Sequence, residues 1–398
     1  MEKLAKEIWD TPIKIGKVVI KNRIVFPPLS GNWANPDGTV NNKILRFYEE
    51  IAKGGCGMIV VSGTSISPEG KVSDRSLCLY DEKHLYGFKK LSDIIKRNKC
   101  FASIQLSHVG GQGNPAFTGH ELLSPSGIKC KALGFKSKEL TMKGIEKIRD
   151  KFIKSAILAS KAGFQAVELH LAHGYLLHEF ISQHTNKRKD KYGGNLKNRL
   201  RLILEIISGI HKIKNSLMIG ARISGEDYIE DGINENANKK ILPVLEKAGV
   251  SYFSVTAGIY ETSKLKHEAM KRGEFFKYSK GIKRIVNKPV IGVGKILDLD
   301  SAERHLKNND CDMVAIGRGL LADPSMIKKV KNNRPFIGCL ECDQCQYLRL
   351  GRKNLICPQN KITKSKSRKI LILGGARFHG LLLVKHFCSL GDDVYVLN

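Results

Sequence analysis

Four cysteines late in the chain, Cys339, Cys342, Cys345 and Cys357, follow the spacing C-x2-C-x2-C-x11-C. Three thiolates within seven residues, with a fourth a short loop away, can surround a cubane cluster, because iron takes soft sulfur ligands. A structural zinc site more often shows two separated cysteine pairs or a cysteine–histidine set. Unligated thiols are the remaining alternative. The spacing therefore predicts a 4Fe–4S cluster and a protein that moves electrons.

A second group is His170, His173 and Tyr175, which form H-x-x-H-x-Y directly after the apolar run QAVELH. A histidine pair at this spacing is by itself more often structural than catalytic. A metal site would need a third ligand, and none stands beside the pair. At the end of a buried strand the same residues become candidates for catalysis.

The elements that must position these groups repeat from about residue 22 to 335: a β-branched run, a polar or Gly-rich loop, then an amphipathic helix. The strands predicted are 23–26, 57–62, 100–106, 165–170, 217–222, 252–256, 288–293 and 312–317, with the continuous apolar character of parallel strands buried on both faces. Helical stretches such as ILRFYEEIAKGG, IRDKFIKSAILASKAG and NRLRLILEIISGI fall between them and are expected to end at glycine. Eight such units predict an α/β fold, a (β/α)8 TIM barrel, over residues 1–335. A doubly wound open sheet is the competing architecture. An insertion at 107–140, rich in Gly and Pro, follows the third strand and is placed to cover the barrel mouth. The cysteine segment then occupies 336–360 and a basic linker 361–369. Residues 370–398 read as the start of a Rossmann-like βαβ unit, too short for a core of its own. In it GGARFHG fits the dinucleotide fingerprint in neither register and is similar to the GGxxFxG opening of extended short-chain dehydrogenases, so no second nucleotide is assigned.

The chain has 398 residues and a formal charge of +29. Its lysines are spread over nearly every helix, which suits a solvated surface and, secondarily, attraction of an acidic partner. No basic element with interleaved aromatics points to nucleic acid. No apolar run is long enough to span a bilayer, and the N-terminus lacks the apolar stretch of a signal peptide. Cys56, Cys78, Cys100, Cys130, Cys311 and Cys388 are scattered like reduced thiols. A cytoplasmic location is expected, and a homo-oligomer is compatible with the sequence.

Catalytic groups of a β/α barrel lie at the C-terminal strand ends. Those positions hold Pro28, Ser30, Gly63, Gln105, His170, His173, Tyr175, Arg222, Thr256, Gly294, Gly317 and Arg318. With NRIVFPPLS, IQLSHVGG, ELHLAHGYLLHEFISQHTNKRKDKYGGNLKNR, IGARIS, VGKI, AIGRGLLADP and the cysteine string in order, the chain resembles the old yellow enzyme family. It is most similar to the cluster-bearing branch of 2,4-dienoyl-CoA reductase, 2-enoate reductase and trimethylamine dehydrogenase.

The resemblance, which covers about residues 8–360, implies FMN. Its phosphate would lie on Gly294, Gly317 and Arg318, with Lys295 adding charge. Arg222 and Gln105 would face the pyrimidine edge of the flavin. Pro28, Leu29, Ser30 and Gly63 would line it, Ser30 near the redox-active edge. His170 and His173 would hold the substrate oxygen, and Tyr175 would supply the proton, with Tyr260 a second candidate. The implied activity is an ene-reductase acting on an enoate, enone or enoyl thioester, fed through the cluster. An amine dehydrogenase or demethylase and a non-catalytic electron-transfer subunit are the alternatives. Position 170 separates the first two, because the amine enzyme has a tyrosine there as part of an aromatic cage. Longer relatives continue into FAD and nucleotide domains, so electrons would come from NAD(P)H directly or from a separate donor protein. His108, His178, His184, Arg188, Asp190 and Tyr192 are assigned to packing rather than to the site.

Overall fold

Eight short apolar runs pair edge to edge into a closed parallel barrel. In the computed structural model they are β1 (Ile24–Phe26), β2 (Met58–Ser65), β3 (Phe101–Ser107), β4 (Ala166–Leu171), β5 (Met218–Ser224), β6 (Val250–Thr256), β7 (Val290–Gly292) and β8 (Met313–Ala315). Strand β8 pairs with β1, which closes the ring and excludes the open sheet. The structure describes residues 7–213, 217–262, 271–346, 353–363, 369–373, 382–384, 387 and 393–397. GGARFHG, most of the basic linker, Cys388 and residues 263–270 lie outside them.

Side chains alternate along each strand as a pleat requires. Ile59, Val61, Ala102, Ile104, Leu106, Val167, Leu169, Ile219, Ala221, Phe253 and Val255 pack outward in one core with the helices. The inward set begins with a dry layer, Val25, Met58, Val60, Phe101, Ala166, Tyr252, Ile291 and Met313. A two-stranded hairpin, Ile13–Ile15 and Val18–Ile20, adds Ile15 and Ile20 to this layer and so plugs the N-terminal end. Above it the interior turns polar. Ser103 meets the Tyr252 hydroxyl at 2.9 Å, Gln105 Nε2 donates to Glu168 Oε1 at 2.8 Å, and Arg222 Nη1 donates to Ser254 Oγ at 3.1 Å. Gly220 leaves room for the Tyr252 ring, since a Cβ there would come within 2.0 Å of it.

The expected helices form over Asn42–Lys53, Met142–Lys161 and Leu196–His211. Gly55 and Gly163 follow the first two in the left-handed region, as a helix stop requires. The third differs from the expectation: it runs through Gly209 to His211. Gly209 there serves packing, because a Cβ would strike Ile153 of the neighbouring helix at 2.2 Å. The 107–140 insertion carries a short helix, Pro115–Thr118, and two bridging pairs, Leu123–Ser124 with Lys138–Glu139. Near the C-terminus Lys369–Leu373 pairs in parallel with Asp393–Leu397, the arrangement of a βαβ start. No described helix is long and apolar enough to cross a membrane.

Candidate active site and cofactor cradle

A cavity of about 380 Å³ opens at the C-terminal mouth of the barrel, within the range of small-molecule sites. Its lining includes Pro28, His173, Arg222, Gly294, Gly317 and Arg318 from the sequence expectation. Leu29, Thr256 and Lys295 join them. Ser30, Gly63, Gln105, His170 and Tyr175 do not line it. Ser30 borders a smaller pocket with Tyr48, Ser62 and Arg75. Gly63 lies under the Gln105 amide, with a built Cβ 3.3 Å from Oε1. Strand register sets Gln105 opposite Glu168, and one N–H of its amide donates to that carboxylate, leaving the second N–H and the carbonyl oxygen.

Sequence reasoning missed Pro27, Phe275, Val293, Ile296, Ala315 and Gln346, which also line the cavity. Most of these are strand-end neighbours of residues it had found. Phe275 and Gln346 come from irregular segments that carry no periodic signal.

The histidine–tyrosine group is built on the end of β4. Register places His170 beside Arg222 of β5. The chain then turns sharply, with His173 at φ 62° and Gly174 at φ 76°. Histidine tolerates the left-handed region better than most residues, whereas at Gly174 a Cβ would also meet Gln112 at 2.3 Å. The turn brings His173 Nδ1 to 3.3 Å from His170 Nε2 and His173 Nε2 to 2.9 Å from Thr256 Oγ1. Tyr175 packs edge-on against His170, ring centres 4.9 Å apart, and its hydroxyl lies 3.1 Å from that of Tyr260. The four side chains form one cluster at the barrel mouth.

Burial holds the His170 imidazole well below its usual range, helped by the charges of Arg222 and His178, so it is neutral at pH 7. Burial also raises Glu168 and lowers Arg222, while the charge of each opposes the shift of the other. Arg222 starts so high that it keeps its proton, placing a buried cation in the cavity wall. The residues assigned to packing have protein partners: His178 meets Asp227 at 3.1 Å, His184 meets Glu261 at 3.4 Å, and the Tyr192 hydroxyl donates to Glu205 at 3.0 Å. Arg188 is held by Asp190 and by the Pro125 and Leu140 carbonyls.

The cavity suits a phosphorylated planar cofactor on several counts. Among the described residues, no backbone hydrogen bond uses the N–H of Gly294, Lys295, Gly317 or Arg318, so four donors remain beside two cations. Gly294 lets the wall close, since a Cβ would sit 3.2 Å from the Phe275 nitrogen. His170 Nδ1 and Glu168 Oε2 are buried without hydrogen-bond partners, a state that buried polar atoms rarely keep once a site is filled.

All four cysteines of the C-terminal segment line one neighbouring pocket together with Arg318. Cys345 and Arg318 also line the larger cavity, so the two sites share a wall. Among the described residues, no three His, Cys, Asp or Glu side chains are grouped as a single metal ion would need. The return segment is anchored on the barrel: Trp33 Nε1 donates to the Leu355 carbonyl at 3.1 Å and Asn360 Nδ2 to the Leu321 carbonyl at 2.8 Å.

A β/α barrel with a cationic, amide-lined cavity at its mouth is the frame of a flavin oxidoreductase. The chain belongs to the NADH:flavin oxidoreductase / NADH oxidase family, which matches residues 10–336. It is 36% identical over 384 residues to NADH oxidase of Thermoanaerobacter brockii, covering 91% of this chain and 59% of that protein. It is 35% identical over 315 residues to NADPH dehydrogenase of Clostridium acetobutylicum, covering 79% of this chain and 91% of the other. Among solved structures it is similar to 2-naphthoyl-CoA reductase in complex with 2-naphthoyl-CoA, with TM-score 0.84 and 27% identity over 92% of this chain and 61% of that one. The chain thus spans about 60% of the length of two of these three proteins.

Proposed function

We propose that this chain holds FMN in the mouth cavity and a 4Fe–4S cluster in the cysteine pocket, and saturates a C=C bond conjugated to a carbonyl. The observation that carries this reading is the cluster of His170, His173, Tyr175 and Tyr260 at the edge of a cavity walled by Arg222. FMN, when bound, would supply a hydride to the β-carbon of the substrate. The protein does the rest. His170 and His173 hold the carbonyl oxygen, where hydrogen bonds stabilise the enolate charge that develops. A neutral imidazole keeps one N–H to donate without the cost of burying a second cation beside Arg222. Tyr175 delivers the proton to the α-carbon, and Tyr260 is in reach to restore it. The Arg222 guanidinium would stabilise negative charge on the reduced flavin.

The cluster reading is supported by four thiols that line one pocket, the ligand number a cubane takes. Residues 1–335 would be the FMN unit, 336–360 the cluster segment and 370–398 the start of a nucleotide fold. The wall shared through Cys345 supports transfer of electrons between the two cofactors. That arrangement suits electrons that arrive singly, and a one-electron donor, attracted by the basic surface if it is a separate protein, would feed the cluster. NAD(P)H, suggested by the relatives' names, is the rival route.

The likeness to a 2-naphthoyl-CoA reductase favours a conjugated thioester as substrate. The test is a panel of enones, enoates, enoyl thioesters and alkylamines on one anaerobic preparation. Reduction of a conjugated acceptor supports the reading. Turnover of amines alone would replace it with the dehydrogenase alternative, and no turnover with either would favour an electron-transfer subunit. Mixing with NADH or NADPH in a stopped-flow instrument tests the donor: fast flavin bleaching, unaffected by cluster removal, would rule out an obligatory partner.

A further inference from the structure

We infer that Glu341 and Asp343, the acidic residues between the cysteines, are positioning residues for the flavin phosphate, so that FMN binding and occupancy of the cysteine pocket strengthen each other. The inference rests on the cofactor reading above and concerns how the two sites communicate. Glu341 Oε2 lies 3.2 Å from Lys295 Nζ, and Glu341 Oε1 accepts from Arg272 Nε at 3.1 Å. Asp343 Oδ1 accepts from Arg318 Nη1 at 2.9 Å. Lys295 and Arg318 are two of the three cations that line the mouth cavity, Arg222 being the third, and Arg318 borders the cysteine pocket as well. Each therefore faces the phosphate cradle on one side and a carboxylate of the cysteine loop on the other.

Backbone geometry ties the pairs to the loop. Glu341 and Asp343 stand at φ 51° and 56°, and Lys295 at φ 59°. Aspartate enters the left-handed region more readily than most residues, but glutamate and lysine do so mainly where surrounding contacts hold them, so Glu341 and Lys295 carry this argument. A filled cysteine pocket fixes Cys339, Cys342 and Cys345, which flank both acids, and so fixes where the carboxylates stand.

Two effects of the carboxylates oppose each other: they lower the positive charge offered to the phosphate, and they hold two flexible side chains in place. The pairs are partly exposed, so solvent and salt screen the first effect. The second persists, because long cationic side chains lose much rotamer freedom when they bind. Lysine has three donors and arginine five, so one bond to a carboxylate leaves others for the phosphate. Preorganisation therefore wins, and the coupling is positive.

The test compares FMN with riboflavin, which lacks the phosphate, by quenching of flavin fluorescence on the full chain with and without its iron. Removing the cluster is expected to weaken FMN at least about five-fold, the lower end of ordinary coupling between sites, and riboflavin less than about two-fold. The double variant Glu341→Gln, Asp343→Asn, with iron retained, should weaken FMN similarly and spare riboflavin, and Glu341→Asp, Asp343→Glu should restore part of the difference. Equal FMN affinity with and without iron would overturn the inference. So would equal weakening of FMN and riboflavin, which signals general damage, or tighter FMN binding by the double variant, which signals competition. A chain that takes up neither flavin nor iron would refute the cofactor reading itself.

Discussion

The hydroxyl of Tyr175 lies 3.1 Å from the hydroxyl of Tyr260, although 85 residues separate them in the chain. One phenol follows β4 and the other follows β6, so the barrel alone brings them together. In the proposed reaction the pair would be a short proton path ending beside the two histidines.

That path predicts unequal effects. Tyr175→Phe should leave flavin bound and reducible but slow alkene reduction by roughly 10²-fold or more, the scale of a general acid. Tyr260→Phe should slow it less, because solvent can reprotonate Tyr175. Single-turnover reoxidation of reduced enzyme by an enone measures both. Wild-type turnover in Tyr175→Phe with loss in Tyr260→Phe would reverse the two roles.

The neutral state of His170 predicts a pH dependence. Its depressed value keeps the ring uncharged from about pH 6.5 upward. Affinity for a neutral carbonyl ligand should therefore show no histidine-like fall as pH rises from roughly 6.5 to 8. His170→Ala should weaken a phenolic enolate mimic by roughly 10-fold, the cost of one hydrogen bond to a charged group. Titration of the flavin charge-transfer absorbance with the mimic checks both outcomes.

Glu179 lies in the short helix Leu176–Ile181 that Tyr175 caps and is buried against the backbone N–H of Gly111, 3.1 Å from both carboxyl oxygens. Burial pushes its carboxyl up to about 8, and the Gly111 hydrogen bond only partly opposes this. A raised carboxyl stabilises the fold below its unfolded value, and that stability is lost as pH climbs through the folded value. Between pH 4.5 and about 8 the wild type should thus lose stability, on the order of a few kcal/mol, that Glu179→Gln does not lose. Denaturation of both proteins near the two ends of this window would show the difference. Parallel pH profiles would refute it.

The cysteine pocket predicts about four irons per chain in anaerobically prepared protein. Cys342→Ala should remove the broad visible absorbance beneath the flavin bands, while the barrel, whose core does not involve Cys342, stays folded. Stoichiometric zinc in protein from iron-replete cells would contradict the cluster.

The barrel was legible because each strand is buried on both faces and reads as an unbroken apolar run. The strand-end residues Arg222, Gly294, Gly317 and Arg318 could be placed for the same reason, since strand ends of this fold share one face. Contacts across strands were not legible. Register sets Gln105 against Glu168, and no spacing in one chain announces that partner. Gly209 read as a helix stop, but its role is set by Ile153 on another helix. The ion pairs of Glu341 and Asp343 likewise join segments that only the folded loop brings together.

In the proposed reaction, bound reduced flavin would pass hydride to a conjugated alkene held beside His170, His173 and Tyr175. The most direct test is anaerobic: reduce the flavin chemically, mix with an enone or enoyl thioester, and follow the return of oxidised flavin absorbance together with the saturated product. Stoichiometric reoxidation matched by formation of the saturated carbonyl product, and slowed in Tyr175→Phe, is the expected result. Flavin that stays reduced with every conjugated acceptor, while an alkylamine reduces the oxidised form, would contradict it.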